Sequence, residues 1–304
     1  MSEAVGAIAR KVAPQGLRSA IRREIARQSL KRFLHAEFGD RHRVTPDAPF
    51  PPSEQIIRTN AKDEQGFARR GPGTAFGRNV YVSSGLNAAH VFLLRASEAG
   101  VLLKNAKCVF DFGCGEGRVL RHLRGLSGLR LIASDTRAEA IAWCRENLPG
   151  PDYHVNGFDP PLAFIDTNAV DIVYAYSVFT HIPVDRQTAW LAEMRRILRP
   201  GGVLLATVMS ECLKSSLSDE RRKDLERSGA LVIGSEDAEA HLATRMQGSL
   251  WDVYQSRKNL EQVFSESFNV HGYFREGLRE GVWEPGIAPL GQDLIVAAKP
   301  VDGA

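Results

Sequence analysis

The stretch Cys108-Val109-Phe110-Asp111-Phe112-Gly113-Cys114-Gly115-Glu116-Gly117-Arg118-Val119-Leu120 decides how the rest of the chain is read. A short apolar run ends in an acid, three glycines alternate, and apolar residues then recur at Val119, Leu120, Leu123 and Leu126. That order predicts a buried strand, a tight turn and the start of a helix. Glycines at such a turn let the backbone approach a ligand closely, and a helix start adds free N–H groups and partial positive charge.

Working outward, Leu129–Ser134 reads as a second strand that ends at Asp135, about 20 residues past the glycines, where a nucleotide-type fold places an acid to accept hydrogen bonds from ribose hydroxyls. Tyr153-His154-Val155-Asn156-Gly157-Phe158 reads as a short third strand and its exit. Val170–Tyr176 is the fourth strand, with Ser177 following. Leu191, Met194, Ile197 and Leu198 share one helical face. Pro200-Gly201-Gly202 stops that helix before a fifth strand at Val203–Val208. Phe268–Phe274 and Gln292–Lys299 supply a sixth and a seventh strand.

A dinucleotide site would show Gly-x-Gly-x-x-Gly. This chain has Gly113-x-Gly115-x-Gly117-Arg118, with arginine in place of the third dinucleotide glycine and Asp111 two residues before the first. That form resembles motif I of class I S-adenosylmethionine (SAM) methyltransferases. Asp171-Ile172-Val173, Ser177–Ile182 and the Arg199-Pro200-Gly201-Gly202 turn carry the resemblance over roughly residues 100–210. Asn156-x-x-x-Pro160-Pro161-Leu162 adds a likeness to a bacterial branch found among surface-polysaccharide and lipid-glycan enzymes. The resemblance implies an α/β fold: a Rossmann-like, seven-stranded, mostly parallel sheet with an antiparallel last strand and helices on both faces. It implies S-adenosyl-L-methionine as cofactor, its amino-acid end beside the glycine loop. Asp111, Gly113, Gly115, Asp135 and Ser177 would contact it, and Asn156, Gly157 and Phe158 would meet the adenine.

Asp159-Pro160-Pro161-Leu162 resembles the Asp-Pro-Pro-Tyr of amino-group methyltransferases acting on nucleic acid. That motif belongs after the fourth strand, and here it precedes it, so nucleobase nitrogen is disfavoured. The expected reaction is methyl transfer to an oxygen of a small-molecule or glycan acceptor. A nitrogen acceptor, or a SAM-fold binding protein without catalysis, is the alternative. His181, after the fourth strand at the carboxyl-end crevice, is the candidate base, because a neutral imidazole accepts a proton near pH 7. A histidine that only shapes the loop by hydrogen bonding is the competing role. His271 and Tyr273 are weaker candidates for lining the acceptor.

The 304 residues suit one large α/β domain with additions, at 43% hydrophobic and 25% charged content. The domain proper is expected at 86–300, with an insertion at about 209–265. Residues 44–85, rich in Pro and Gly, read as a linker or lid. A helix is expected from about Leu86, capped by Ser83 or Ser84, and another near Leu250–Phe264. Tyr81 reads as a packed or lid residue. Residues 1–43 carry ten Lys/Arg against four Asp/Glu, so the net charge of +3 belongs to the front end. The body is therefore not a nucleic-acid binder.

Residues 17–38 predict a basic amphipathic helix that packs on the domain or on a second subunit, as in a homodimer. Alternatively, the helix lies on an anionic membrane surface. No run of about 18 apolar residues suggests a membrane span. No apolar leader core is visible near the N-terminus. Four scattered cysteines without Cys-x-x-Cys spacing argue against a disulfide framework or a zinc site. The expected location is cytoplasmic, with peripheral contact at the inner face of the membrane as a variant. No metal ligand cluster is expected.

Overall fold

The computed structural model describes residues 15–38, 49, 75–234, 251–281 and 287–301. Two helices lead in: α1 (Gln15–Phe38) and α2 (Ala75–Glu98). The sheet strands are β1 (Cys108–Phe112), β2 (Arg130–Asp135), β3 (Asp152–Val155), β4 (Val170–Ala175) and β5 (Leu198–Val208). Helix α3 (Ala138–Asn147) links β2 to β3, and α4 (Val184–Ile197) links β4 to β5. Then come α5 (Asp219–Ser228), β6 (Ala230–Gly234), β7 (Trp251–Gln255), α6 (Arg257–Ser265), β8 (Asn269–Phe274) and β9 (Asp293–Ala298).

The seven-stranded sheet runs β3-β2-β1-β4-β5-β9-β8, and β6 and β7 form a separate antiparallel pair. Strands β1 to β5 pair in parallel, and β9 runs antiparallel to both β5 and β8. This is the Rossmann-like architecture that the strand pattern implies. Strand order reverses between β1 and β4. In open α/β sheets the crevice for ligands lies at such a reversal, beyond the strands' carboxyl ends.

Every residue of β1 and of β4 is buried, as strands covered by helices on both faces must be. Successive residues feed opposite cores. Val109 packs with α1 to α3, through Leu34, Phe92 and Ile141. Phe110 packs on the other face with Trp190 and Met194 of α4 and Phe264 of α6. Leu30, Leu34 and Phe38 of α1 are buried in the first core, so this part of its apolar face is spent on the domain. Ile25 is exposed. Among the described residues no helix is long and apolar enough to cross a membrane.

Four local expectations are corrected. First, no α-helix follows the glycine turn. The N–H groups of His122, Leu123 and Leu126 bond three residues back, to Val119, Leu120 and Leu123, leaving a 3-10 turn at Leu120–His122. Gly125 and Gly128 follow too soon for a helix to propagate.

Second, α2 starts at Ala75 rather than Leu86, so Ser83 and Ser84 lie inside it and cap nothing. The Ser84 hydroxyl donates back to Tyr81 O at 3.1 Å, as an in-helix serine does. Of the remaining linker residues, 44–48 and 50–74 lie outside the described ones.

Third, the helix expected near 250–264 divides into strand β7 and helix α6. Ser256 caps α6 by accepting from Asn259 N at 3.2 Å.

Fourth, Pro200-Gly201-Gly202 lies within β5 as an irregularity, not before it. The register with β4 shifts there, between Val170 and Ile172, and Gly201 takes φ +75°.

Candidate functional site

The parallel pairing of β3, β2, β1 and β4 brings the expected site residues to one edge. Asp111 is level with Ala133 and with Tyr174, and Asp135 is level with Val155. Beyond these strands lie Gly113 to Arg118, Asn156 to Phe158, and Ser177 to His181.

The glycine turn is shaped rather than charged. Gly113, Gly115 and Gly117 all take positive φ, at 77°, 51° and 68°. A Cβ on Gly113 would lie 2.3 Å from Val178 Cγ2, so that glycine is also demanded by close approach. The turn's amides are already used. Gly113 N and Cys114 N both donate to Ser134 O, at 2.8 and 2.9 Å, and Gly115 N donates to Asp135 Oδ2 at 2.8 Å. With no helix start and with these donors occupied, the turn does not offer a phosphate cradle.

Helix α2 closes over this turn. The Tyr81 hydroxyl donates to Glu116 O at 3.1 Å, so Tyr81 is a packed residue of the turn's support. A Cβ on Gly85 would sit 2.0 Å from Arg118 O. Only glycine lets the helix lie this near.

Two acids stand at the strand ends. The Asp135 carboxylate accepts from Gly115 N and from Arg137 N (2.9 Å), and the Arg137 guanidinium lies 3.3 Å away. Arg137 also pairs with Glu116 at 2.8 Å. Burial alone would lower the pKa of Arg137, but Asp135 and Glu116 hold it firmly protonated. A carboxylate has about four acceptor positions, so Asp135 keeps room for further donors.

Asp111 is different. Its carboxyl receives one hydrogen bond among the described residues, from the Tyr174 hydroxyl at 2.8 Å. Burial pushes it up to about 7. The Tyr174 bond and the charge of Arg118 oppose that rise, and Asp135 adds to it.

At the end of β3, Asn156 N donates to Asp135 O (3.2 Å) and Asn156 Nδ2 to Gly157 O (2.7 Å). Asn156 Oδ1 is buried with no hydrogen-bond partner. A buried acceptor left open beside a strand-end acid is expensive unless a ligand fills it. The Phe158 side chain is exposed and its carbonyl accepts from Trp190 Nε1 at 3.1 Å.

After β4, Ser177 holds φ +62°, a conformation a non-glycine residue needs support to keep. The support is a closed ring. Ser177 N donates to Thr207 Oγ1 (2.7 Å), the Thr207 hydroxyl to Gln292 Oε1 (2.7 Å), and Gln292 Nε2 to Ser177 Oγ (3.0 Å). Thr207 and Gln292 were not legible as site residues from the sequence, since they stand in β5 and just before β9.

His181 Nδ1 lies 2.7 Å from Trp251 O and 3.7 Å from Asp252 Oδ1. A carbonyl can only accept, so Nδ1 carries the proton, and the neutral ring keeps its basic lone pair on Nε2. The side chain is 31% exposed, so the ring remains reachable. Strand β7 also grips the loop around His181. Val253 N donates to Thr180 O (2.8 Å), and Gln255 Nε2 to Gln187 Oε1 (2.9 Å). Gln187 Nε2 in turn donates to Phe179 O and Ile182 O. The sequence placed β7 in a helix, so this partnership was missed. His271 and Tyr273 lie on β8, and the Tyr273 hydroxyl donates to Asp293, the residue after Gln292.

Against known proteins, residues 110–206 match the family model described as "Methyltransferase domain". A carboxy-S-adenosyl-L-methionine synthase of Pseudomonas fluorescens is 30% identical over 37% of this chain and 48% of its own length. A malonyl-[acyl-carrier protein] O-methyltransferase of Pectobacterium atrosepticum is 34% identical over 36% of this chain and 42% of its own length. The matched region thus spans less than half of either relative. Among solved structures, a S-adenosylmethionine-dependent methyltransferase from Clostridium acetobutylicum superposes with TM-score 0.50. It shares 11% identity over 75% of this chain and 100% of that one, a likeness of fold.

Proposed function

We propose that this chain, whose residues 110–206 match the methyltransferase-domain model, is a class I SAM-dependent enzyme that methylates an oxygen of a small-molecule or glycan-like acceptor. The residues present suit the cofactor. The open acceptor of Asn156 suits an adenine amine, Asp135 suits ribose hydroxyls, and the under-bonded Asp111 suits an ammonium. Gly113 and Gly115 leave the room, and Gly157, Phe158 and Ser177 border it. When bound, the cofactor supplies a methyl group on a positively charged sulfur and a neutral thioether leaving group.

The observation that carries the oxygen reading is the bond from His181 Nδ1 to Trp251 O. It orients a neutral imidazole with Nε2 as the proton acceptor, which a hydroxyl nucleophile needs as it reacts. Asp252, 3.7 Å from Nδ1, favours the imidazolium that results. The matched Pectobacterium relative is named as an O-methyltransferase, which supports the same reading.

His181→Asn separates the roles, because its amide N–H can replace Nδ1–H toward Trp251 while Nε2 is lost. The expected outcome is SAM affinity within twofold of wild type by calorimetry. Release of S-adenosylhomocysteine over a panel of hydroxyl and carboxylate acceptors should fall by roughly 10²–10⁴. Undiminished release removes His181 as the base. The basic helix α1, with Arg27 and Arg32 exposed, supports contact with an anionic surface; the double variant Arg27→Glu, Arg32→Glu would then sediment less with anionic vesicles.

A further inference from the structure

Ser177 stands where β4 ends, with φ at +62°. Residues other than glycine seldom take that conformation, and such outliers gather at active sites. The side chain is half-buried. Its partners Thr207, in β5, and Gln292, just before β9, belong to the half of the sheet edge away from Asp135 and Asn156.

The hydrogen bonds around Ser177 run in one direction. Its backbone N–H can only donate, so the Thr207 hydroxyl accepts it and donates onward to Gln292 Oε1. The Gln292 amide is thereby turned with Nε2 toward Ser177 Oγ, to which it donates at 3.0 Å. Thr180 is fully buried, and its hydroxyl has one hydrogen-bond partner among the described residues, Ser177 Oγ at 3.4 Å. A buried hydroxyl proton needs an acceptor, so Thr180 donates to Ser177 as well. A serine oxygen has two acceptor positions and one proton. Both positions are filled and the proton is left over, so Ser177 faces a ligand as a donor and not as an acceptor.

We propose that the Ser177 hydroxyl donates to the acceptor oxygen that receives the methyl group, and so selects hydroxyl or carboxylate oxygen over amine nitrogen. The proposal rests on the oxygen reading above and names a residue that enforces it. A hydroxyl oxygen carries two lone pairs. One forms the bond to the methyl carbon as the carbon–sulfur bond breaks and its electron pair goes to sulfur. The other accepts from Ser177, and the hydroxyl proton passes to His181 Nε2. A carboxylate has spare lone pairs and no proton to lose. A neutral amine nitrogen has one lone pair, and its ammonium form none. Spending that pair on the methyl carbon leaves the Ser177 donor unpaired, and spending it on Ser177 stops the reaction.

The test uses the full chain filled with S-adenosylhomocysteine. Matched pairs are titrated by calorimetry: sugars and hydroxy acids, each beside the amine that replaces its hydroxyl. Wild type is expected to bind the hydroxyl member at least about tenfold more tightly than its amine. Ser177→Gly removes the donor, and glycine takes a positive φ freely. Gln292→Glu exchanges the Nε2–H donor for a carboxylate oxygen, so the Ser177 proton turns to it and is no longer offered to a ligand. Both variants should reduce the margin to less than about threefold. Ser177→Gly should keep SAM affinity within about twofold of wild type, which also shows that it is folded. No margin in wild type, a margin kept in both variants, or one lost together with about tenfold or more of SAM affinity overturns the proposal and leaves the oxygen reading standing. A wild type that binds and methylates only the amines overturns both.

Discussion

The two ends of strands β1 and β4 treat a buried aspartate in opposite ways. At the amino end, Asp171 accepts from Lys107 N (2.8 Å) and Cys108 N (2.7 Å) and pairs with Arg199 at 2.6 Å. At the carboxyl end, Asp111 is equally buried but has only the Tyr174 hydroxyl among the described residues. The first carboxylate takes two backbone amides on Oδ2 and faces a guanidinium of its own chain, and it pins two strands together. The second bears a cost of burial that the Tyr174 bond and the charge of Arg118 offset only in part, and its pKa is raised accordingly. A buried acid whose charge is met by a cation and two amides of its own chain belongs to the architecture, whereas one held by a single hydroxyl points to something absent from the protein alone.

Four experiments press on that contrast. The largest effect is expected from Asp171→Ala, which leaves two backbone donors and Arg199 without their acceptor. Urea denaturation should show a loss on the order of 2–4 kcal/mol, with SAM affinity of the folded protein unchanged.

Asp135→Ala comes next. Calorimetry should find SAM bound roughly tenfold to over a hundredfold more weakly, from about 1.5–3 kcal/mol of lost charge-assisted hydrogen bonding. Wild-type affinity in that variant would detach the ribose assignment from this acid.

Asp111→Asn should invert the Asp171 result. At pH 8 its ligand-free melting temperature should equal or exceed wild type, because the amide carries no charge to bury, while SAM binding weakens about tenfold.

The last experiment follows a pH dependence. The unfolded chain releases the Asp111 proton near 3.8, but the folded chain holds it to about 7. The folded state therefore binds more protons in that window, and stability falls as pH rises through it. The difference between wild type and Asp111→Asn should have a slope of at most about 1.4 kcal/mol per pH unit between pH 4 and 7. A flat difference would mean that Asp111 is better solvated than its surroundings imply.

Where local chemistry and tertiary role coincide, the sequence could be read directly. Val170, Ile172 and Val173 are apolar because both faces are covered, and Gly113, Gly115 and Gly117 are glycines because their φ is positive. The alternation of Val109 and Phe110 between two cores likewise follows from the strand period.

What escaped was set by distant partners. Ser83-Ser84-Gly85 looks like a helix start, yet Gly85 is there because Arg118 lies against it. Trp251–Gln255 carries too few residues to show a period, and it becomes a strand by pairing with Ala230–Gly234. The Thr207–Gln292 support of Ser177 joins residues 85 positions apart, which no spacing rule reports.

Strand β7 leaves one more consequence. It arrives from the insertion beyond β5, the part of the chain that differs most from a compact sheet, yet its Trp251 carbonyl holds the His181 ring and its Val253 amide holds the neighbouring Thr180. Exchanging this appendage for one of another shape, so as to accept a different molecule, would therefore also unseat the imidazole. On the role proposed for His181, a graft aimed at new selectivity must bring a carbonyl to the same place, or it will recognise its molecule and leave it unchanged.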